Sequence, residues 1–480
     1  MTHVRTSPVP AVVARTTTAM RLLACVVGIM AGLGTARAAP ATPDRRGGPS
    51  GSLVVVESNQ TLPLVRVVVA VRSGSASDPH KKDGLANLTG EVARRGAARQ
   101  SREKIDARLD ALGATLDVVT DADSLRFEGD VLSRNLEEYL KIVADVLLRP
   151  DFPPTEIART RRDILADIDE QRNDDRTLCG RFYLRNLYAD HPYGHPSDGD
   201  RASLERIRRE DLEAYHRQQV VGPNVVFAAA GDVVTETFVA ALQRVFVGLP
   251  SAPAPGPNPL AMREPQPPHG WRIQLVDKPD RQQVQVMFGQ FGVRATDPDF
   301  VPLLVALTSF GGHGMKATLM DEIRTKRGLA YGAYMNLSER LARGAMTGWF
   351  FAATDKTVPT LKLALRLYVG LMDKGIDDGR LAFAKNFLAA SQTSEMDDPA
   401  HRLDARVSAE IVGLPAQFVD DLPGRIRAVT AAEVKAALSR NLRARDLAIT
   451  AVGTASALRP QLIDAKVQGS AIDVVPYDSY

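Results

Sequence analysis

Three sets of residues have types and spacings that could do chemistry. The first lies in "GLANLTGEVARRG", Gly84 to Gly96, which reads as three turns of helix between glycines. Asn87 and Glu91 are four apart and share one helix face, with Gly90 beside them. A mid-helix glycine costs about 1 kcal/mol relative to alanine. A polar face with a hole in it is therefore either doing chemistry or a place where chemistry is missing. The second set is Arg324 and Tyr331, seven apart in "EIRTKRGLAYGAY". A guanidinium is always charged and offers a fork of donors. A phenol is a compact donor of the kind that steadies an oxyanion. By spacing alone, the pair is better read as a surface salt bridge and a packed ring. The third set is His191 and His195 in "HPYGHPSDG", but Pro192 and Pro196 forbid the helix that would align the two imidazoles on a metal, leaving a loop pair. His80 and His313 are single loop histidines, and His401 sits at a helix start on the surface. Gly311, Gly312 and Gly314 lack the lysine-serine or lysine-threonine ending of a phosphate loop.

The elements that position these residues divide into two halves behind a leader. Arg15 and Arg21 precede the apolar run Leu22–Leu33, followed by Ala36-Arg37-Ala38. This has the form of a signal peptide over residues 1–38, cleaved near Ala38, and implies a periplasmic or secreted protein. A membrane anchor is the alternative, but the run falls short of the roughly 20 residues a span needs, so no mature membrane span is expected. Cys25 resembles a lipid-attachment site, yet the apolar run continues past it. With Cys25 removed, Cys179 stands alone and no internal disulfide is possible. The leader holds four arginines and no acid, so losing it takes the formal charge from +3 to −1. The basic balance belongs to the leader and makes no case for nucleic acid.

The 480-residue chain, 44% hydrophobic, is long enough for more than one core. Leu249 to Gly270 carries eight prolines and reads as a stiff linker, either hinge or tether. It separates a domain at 50–248 from one at 271–470. The two resemble each other. "DLEAYHRQQVVGPNVVFAAAG" from Asp211 and "EVKAALSRNLRARDLAITAVG" from Glu433 keep one offset of 222 from helix to loop to strand-ending glycine. "VRVVVAVRSGSASDP" matches "VQVMFGQFGVRATDP" at the front. Ile105, Leu109 and Leu112 mark one helix face; Leu136, Leu140, Val143 and Leu147 mark another, stopped by Pro150. The expected fold is α+β: two homologous tandem domains, each a mainly antiparallel sheet with helices packed on one face.

"GSASDPHKKDGLANLTGEVARRGA" resembles the active-site segment of the pitrilysin family of zinc peptidases, which includes mitochondrial processing peptidase. The resemblance extends through "HPYGHPSDG", "NVVFAAAGDV" and "GGHGMKATLMDEIRTKRGLAYGAY", the last being the most specific. It implies a clam-like pair of halves. In that family an H-x-x-E-H helix holds zinc. Its first histidine falls on Asn87, its catalytic glutamate on Gly90 and its second histidine on Glu91. A further acidic ligand falls on Asp167. Asparagine is a poor zinc ligand, and Gly90 can move no proton. Two acids and an amide suit calcium or magnesium better, but no coordination loop accompanies them. No metal bound by this chain is expected.

Arg324 and Tyr331 match the family's arginine and tyrosine, which reach a facing zinc site to hold substrate and stabilise charge at the scissile carbonyl. The resemblance thus implies a catalytically incomplete subunit of a heterodimer. Its homologous partner would carry the intact H-x-x-E-H motif and the zinc, and a peptide would be the substrate. A structural or peptide-binding scaffold derived from the same fold is the alternative, and an active peptidase with unusual ligands is a third.

Overall fold

The computed structural model describes residues 43–465, 467 and 472–479. The leader, with Cys25 and the cleavage site near Ala38, lies outside them. The first half builds a six-stranded sheet in the order β1-β2-β8-β3-β7-β6. Its strands are β1 (Asp44–Gly47), β2 (Leu53–Ser58), β3 (Leu64–Val71), β6 (Asp117–Thr120), β7 (Leu125–Leu132) and β8 (Val225–Gly231). A two-residue pair, β4 (Gly96–Ala97) and β5 (Gln100–Ser101), stands apart. The second half repeats the plan in the order β11-β12-β10-β13-β9-β14. Its strands are β9 (Arg272–Asp277), β10 (Gln283–Phe291), β11 (Gly332–Leu337), β12 (Ala345–Ala353), β13 (Ala448–Gly453) and β14 (Asp473–Pro476).

The duplication read from the sequence is thus a duplication of topology. The orders β2-β8-β3-β7-β6 and β9-β13-β10-β12-β11 superpose strand for strand. In each, the β2–β8 or β9–β13 pair is parallel and the other three pairs are antiparallel. The outer strands break the symmetry: β1 joins β2 antiparallel, whereas β14 joins β9 parallel. The architecture is α+β with two tandem domains of like plan.

Helices pack on one face of each sheet. Leu88, Val92, Leu140, Val143 and Leu147 meet the first sheet's core, and helix Phe300–Gly311 with helix Thr354–Lys374 meets the second. The opposite face of each sheet is also buried, which explains why β3 and β8 are apolar almost throughout rather than alternating. That face is covered by one helix from the other half. Helix Pro399–Ile411 lays Leu403, Val407 and Ile411 on Val55, Val68 and Ala228 of the first sheet. Helix Asp175–Tyr188 lays Leu178, Cys179 and Phe182 on Val276 and Val452 of the second. Cys179, the one cysteine among the described residues, is therefore a packing group: its Sγ lies 3.5 Å from the Thr450 carbonyl, and burial pushes its pKa up, away from thiolate chemistry.

Polar anchors fix the exchange. Glu57, on β2, is 3% exposed and accepts from both Arg402 and Arg406. Arg406 in turn grips Asp420 with two hydrogen bonds of 2.9 and 2.8 Å. Asn186 donates to the Ile449 carbonyl at 3.2 Å and to Thr450 Oγ1 at 3.1 Å.

The proline-rich segment between the sheets forms neither helix nor strand, as its composition predicts. It is nevertheless pinned. Asn258 donates to the Ala76 carbonyl at 2.7 Å, His191 Nε2 meets the Ala261 carbonyl at 3.0 Å, and Glu264 pairs with Arg294 at 2.9 Å. No helix among the described residues is long and apolar enough to cross a membrane.

Candidate functional site

The motif helix runs Leu85–Arg94. Gly84 begins it at φ +92°, a conformation that favours glycine. The buried carboxylate of Asp78 accepts from the Gly84 amide at 2.7 Å and the Ala86 amide at 2.9 Å, capping the helix start. Burial drives its pKa well up, and the amide hydrogen bonds oppose that shift. The aspartate-proline lead-in is thus helix architecture. The His191–Gly199 stretch packs nearby: His195 Nδ1 lies 3.3 Å from Asp83, and Arg181 binds Asp198 at 2.7 Å. His191 accepts from the Tyr193 amide at 3.1 Å, and Tyr193 donates to Asp123 at 2.6 Å. The histidine pair is a turn that ties the linker and loops together.

Asn87 and Glu91 share the helix face as their spacing requires, both half-buried. Glu91 faces Arg95 at 3.5 Å, and Arg95 also pairs with Asp163 at 2.7 Å. Burial raises the Glu91 pKa, Arg95 and Arg94 oppose, and the charges of Asp117 and Asp167 add to the rise. Asp167 is exposed on the adjoining helix Pro154–Gln171. The carried-over acidic positions are therefore neighbours, but Glu91 is engaged with Arg95 and Asp167 lies out on the exposed face of the next helix. Among the described residues, no three His, Cys, Asp or Glu side chains could hold one metal ion.

Gly90 decides whether zinc chemistry fits. A Cβ there would lie 2.6 Å from Leu125 Cδ1 and 2.7 Å from Val118 Cγ1. Aliphatic groups of the sheet fill the space that a catalytic carboxylate would need. The donor set and this packing do not fit zinc. Gly90→Ala asks only small shifts of two side-chain ends. Gly90→Glu adds a carboxylate pressed into that wall, and overpacking outweighs the gain in helix propensity. We expect Gly90→Glu to lose about 1–3 kcal/mol, read as a fall in thermal midpoint. A midpoint at or above that of the parent chain would show the wall to be soft.

Arg324 and Tyr331 are built differently. Arg324 lies in a π-helical stretch, Met320–Thr325, a wider coil that recurs at functional sites. The following loop leads to Tyr331, just before edge strand β11. Lys326 and Arg327 of that loop are neutralised by Asp321 and Glu322. Arg324 is exposed and forms no ion pair among the described residues. Tyr331 is 74% exposed, and its ring lies parallel to Phe351 at 5.9 Å between centroids. Of the two readings that spacing left open, neither the salt bridge nor the packed core ring is what the structure holds.

Both side chains line one cavity of about 360 Å³, with Gln283, Phe351 and Lys356 among its walls. Every lining residue belongs to the second half, so this cavity does not include Asn87, Gly90, Glu91 or Asp167. Phe351 and Lys356 were not singled out from the sequence; the alternation of Thr347, Trp349 and Phe351 along β12 was the available signal. On the same strand face, Trp349 stacks on Tyr334 at 5.3 Å, with Arg176 over its ring at 5.2 Å. His313, expected as a single loop histidine, lies with its ring tilted against Tyr334, 5.0 Å between centroids.

A duplicated α+β shell, a helix at the position of a metal motif and an arginine–tyrosine cavity together define a metallopeptidase-type fold. Residues 53–200 match the profile of insulinase (peptidase family M16), and residues 206–388 match that of the peptidase M16 inactive domain. The chain belongs to peptidase family M16. It is similar to an uncharacterized zinc protease of Mycobacterium bovis, at 25% identity over 90% of this chain and 98% of that protein. It is 23% identical to a probable mitochondrial-processing peptidase subunit beta of Arabidopsis thaliana, over 84% of this chain and 77% of the relative. It is 22% identical to the non-peptidase homolog YmxG of Helicobacter pylori, over 83% and 91%. A crystal structure of a peptidase M16 inactive domain from Pseudomonas fluorescens superposes with a TM-score of 0.79 at 26% identity, covering 91% of this chain and all of that one.

Proposed function

We propose that this chain is the catalytically incomplete subunit of a heteromeric zinc peptidase. It supplies Arg324 and Tyr331 to a homologous partner that carries the intact H-x-x-E-H motif and the zinc. One observation carries this reading: the Gly90 position is filled and Glu91 is paired with Arg95, while Arg324 and Tyr331 stay exposed in one cavity. Arg324 would hold the peptide through its fork of donors. The Tyr331 hydroxyl would donate to the oxygen of the scissile carbonyl as it gains charge. Similarity to a protein named as a processing-peptidase subunit supports a role in an assembly. The composition of the leader supports a periplasmic or secreted mature protein, cleaved near Ala38.

The test is reconstitution. The chain is purified from its native cell with whatever M16 protein accompanies it, and peptide cleavage is measured for each alone and for the mixture. We expect neither zinc nor cleavage with this chain alone, and cleavage with the mixture. A partner that cleaves equally well without this chain would overturn the proposal and favour a structural or peptide-binding scaffold, the role that similarity to a non-peptidase homolog supports.

A further inference from the structure

The wall of the Arg324–Tyr331 cavity continues past it. Leu329 also lines a second cavity, of about 440 Å³, between the loop carrying Arg327 and the outer face of helix Thr354–Lys374. On that face Lys362 and Arg366 stand one turn apart above Val358, Pro359 and Leu363. The two adjoining cavities are bordered by five cations, Arg324, Arg327, Lys356, Lys362 and Arg366, and among the described residues no Asp or Glu lines either one.

Only Arg327 among them forms an ion pair within the described residues, with Glu322 at 2.5 Å. Among the described residues Lys356 and Lys362 reach only backbone carbonyls, Gly328 at 3.5 Å and Ala465 at 3.1 Å, which orient an ammonium without cancelling it. The contrast with Lys326 two residues from Arg324, which meets both Asp321 and Glu322, is local and sharp. Several uncancelled charges around an apolar concavity focus a positive potential into it. The floor is apolar: Leu329, Ala330, Phe351 and Val358. A free inorganic anion would use the charges and leave the floor wet; an apolar molecule would do the reverse.

We infer that the double cavity is a binding trench for an acidic, apolar stretch of extended polypeptide. Its carboxylates meet Arg324, Lys356, Lys362 and Arg366, and its apolar side chains settle on Leu329, Val358 and Phe351. The polypeptide nature of the occupant rests on the proposed function; the charge preference rests on the cavities alone. The trench would select peptides whose acidic residues lie beside the bond presented at Tyr331.

The experiment uses the whole chain without its partner. Fluorescence anisotropy is followed with labelled peptides that share the same apolar residues and differ at three positions, all glutamate, all serine or all lysine. We expect the glutamate peptide to bind at least about tenfold more tightly than the serine peptide at low ionic strength. That advantage should shrink steeply in salt. The double variant Lys362→Glu/Arg366→Glu, on an exposed helix face, should abolish the preference with the circular dichroism spectrum unchanged. Lys104→Glu, on the surface of the first half, should keep it. Equal binding of all three peptides, or a preference that survives the double variant, would overturn the inference. Tighter binding to phosphatidylglycerol vesicles than to the glutamate peptide would reassign the trench to a membrane surface and overturn it as well. The outcomes separate cleanly from those of reconstitution. Charge-selective binding without dependence of cleavage on this chain would sink the catalytic proposal alone. Dependent cleavage without charge selection would sink the trench alone.

Discussion

Tyr331→Phe is expected to lower the kcat/KM of the reconstituted two-subunit peptidase by about 10²–10³-fold, with assembly unchanged. The substitution removes one hydroxyl. The phenyl ring keeps its parallel stack on Phe351, and 74% of the side chain is exposed, so packing has little to lose. The loss should fall on kcat rather than KM, because a donor aimed at a developing oxyanion acts in the transition state. Arg324→Ala should show the complementary pattern, raising KM as well, since a guanidinium that holds the peptide acts before the chemistry. Arg324 has no ion-pair partner among the described residues, so its removal should leave the thermal midpoint within a degree or two of the parent. Steady-state kinetics of the purified mixture, with gel filtration to confirm the complex, decides the matter. Unchanged kcat/KM in both variants would end the trans-acting role.

The second large effect concerns stability. Glu57→Ala should destabilise the protein by about 3–5 kcal/mol, the usual cost of stranding buried charge. Glu57 sits on β2 at 3% exposure, between Arg402 and Arg406 of a helix contributed by the other half. Both arginines are buried, and Arg406 would keep only Asp420. Burial works against the Arg406 charge, yet Asp420 and Glu57 together hold its pKa above the ordinary value. Removing one carboxylate therefore tips the balance toward an unpaired cation in a low-dielectric setting. Urea unfolding with a probe in each half would also show whether the halves part company. Loss of helix Pro399–Ile411 from the first sheet exposes Val55, Val68 and Ala228, so the first half should melt early. A change below about 0.5 kcal/mol would mean that apolar contact alone seats this helix.

The sequence carried the architecture far. Val-rich runs, the constant offset between Asn224 and Asp446 and between Gly231 and Gly453, and the apolar spacing of two helices all reappear as strands β8 and β13 and helices Arg102–Leu112 and Leu136–Leu148. Repetition is legible because each half must satisfy the same local rules of period, turn and cap, and those rules act within a few residues. The motif helix was legible for the same reason, and with it the misfit to zinc, since side-chain chemistry at Asn87, Gly90 and Glu91 needs no coordinates.

What stayed hidden depends on partners far along the chain. Nothing near Cys179 announces that its helix caps a sheet containing Thr450, 271 residues away, nor that Glu57 awaits Arg402. A helix buried by the opposite half shows the same apolar stripe as one buried by its own. Gly90 was visible as a missing base, but the Leu125 and Val118 methyls that now occupy its space were not. Arg324, Lys356 and Arg366 were three cations among sixty Lys and Arg residues. That none of the three forms an ion pair among the described residues is a fact of packing, because charge cancellation is set by distances of a few ångströms that only the folded chain defines. The sequence by itself thus determined which fold this is and which reaction its own helix lacks the groups to run; tertiary contact alone decided which charges remain uncancelled and available to another molecule.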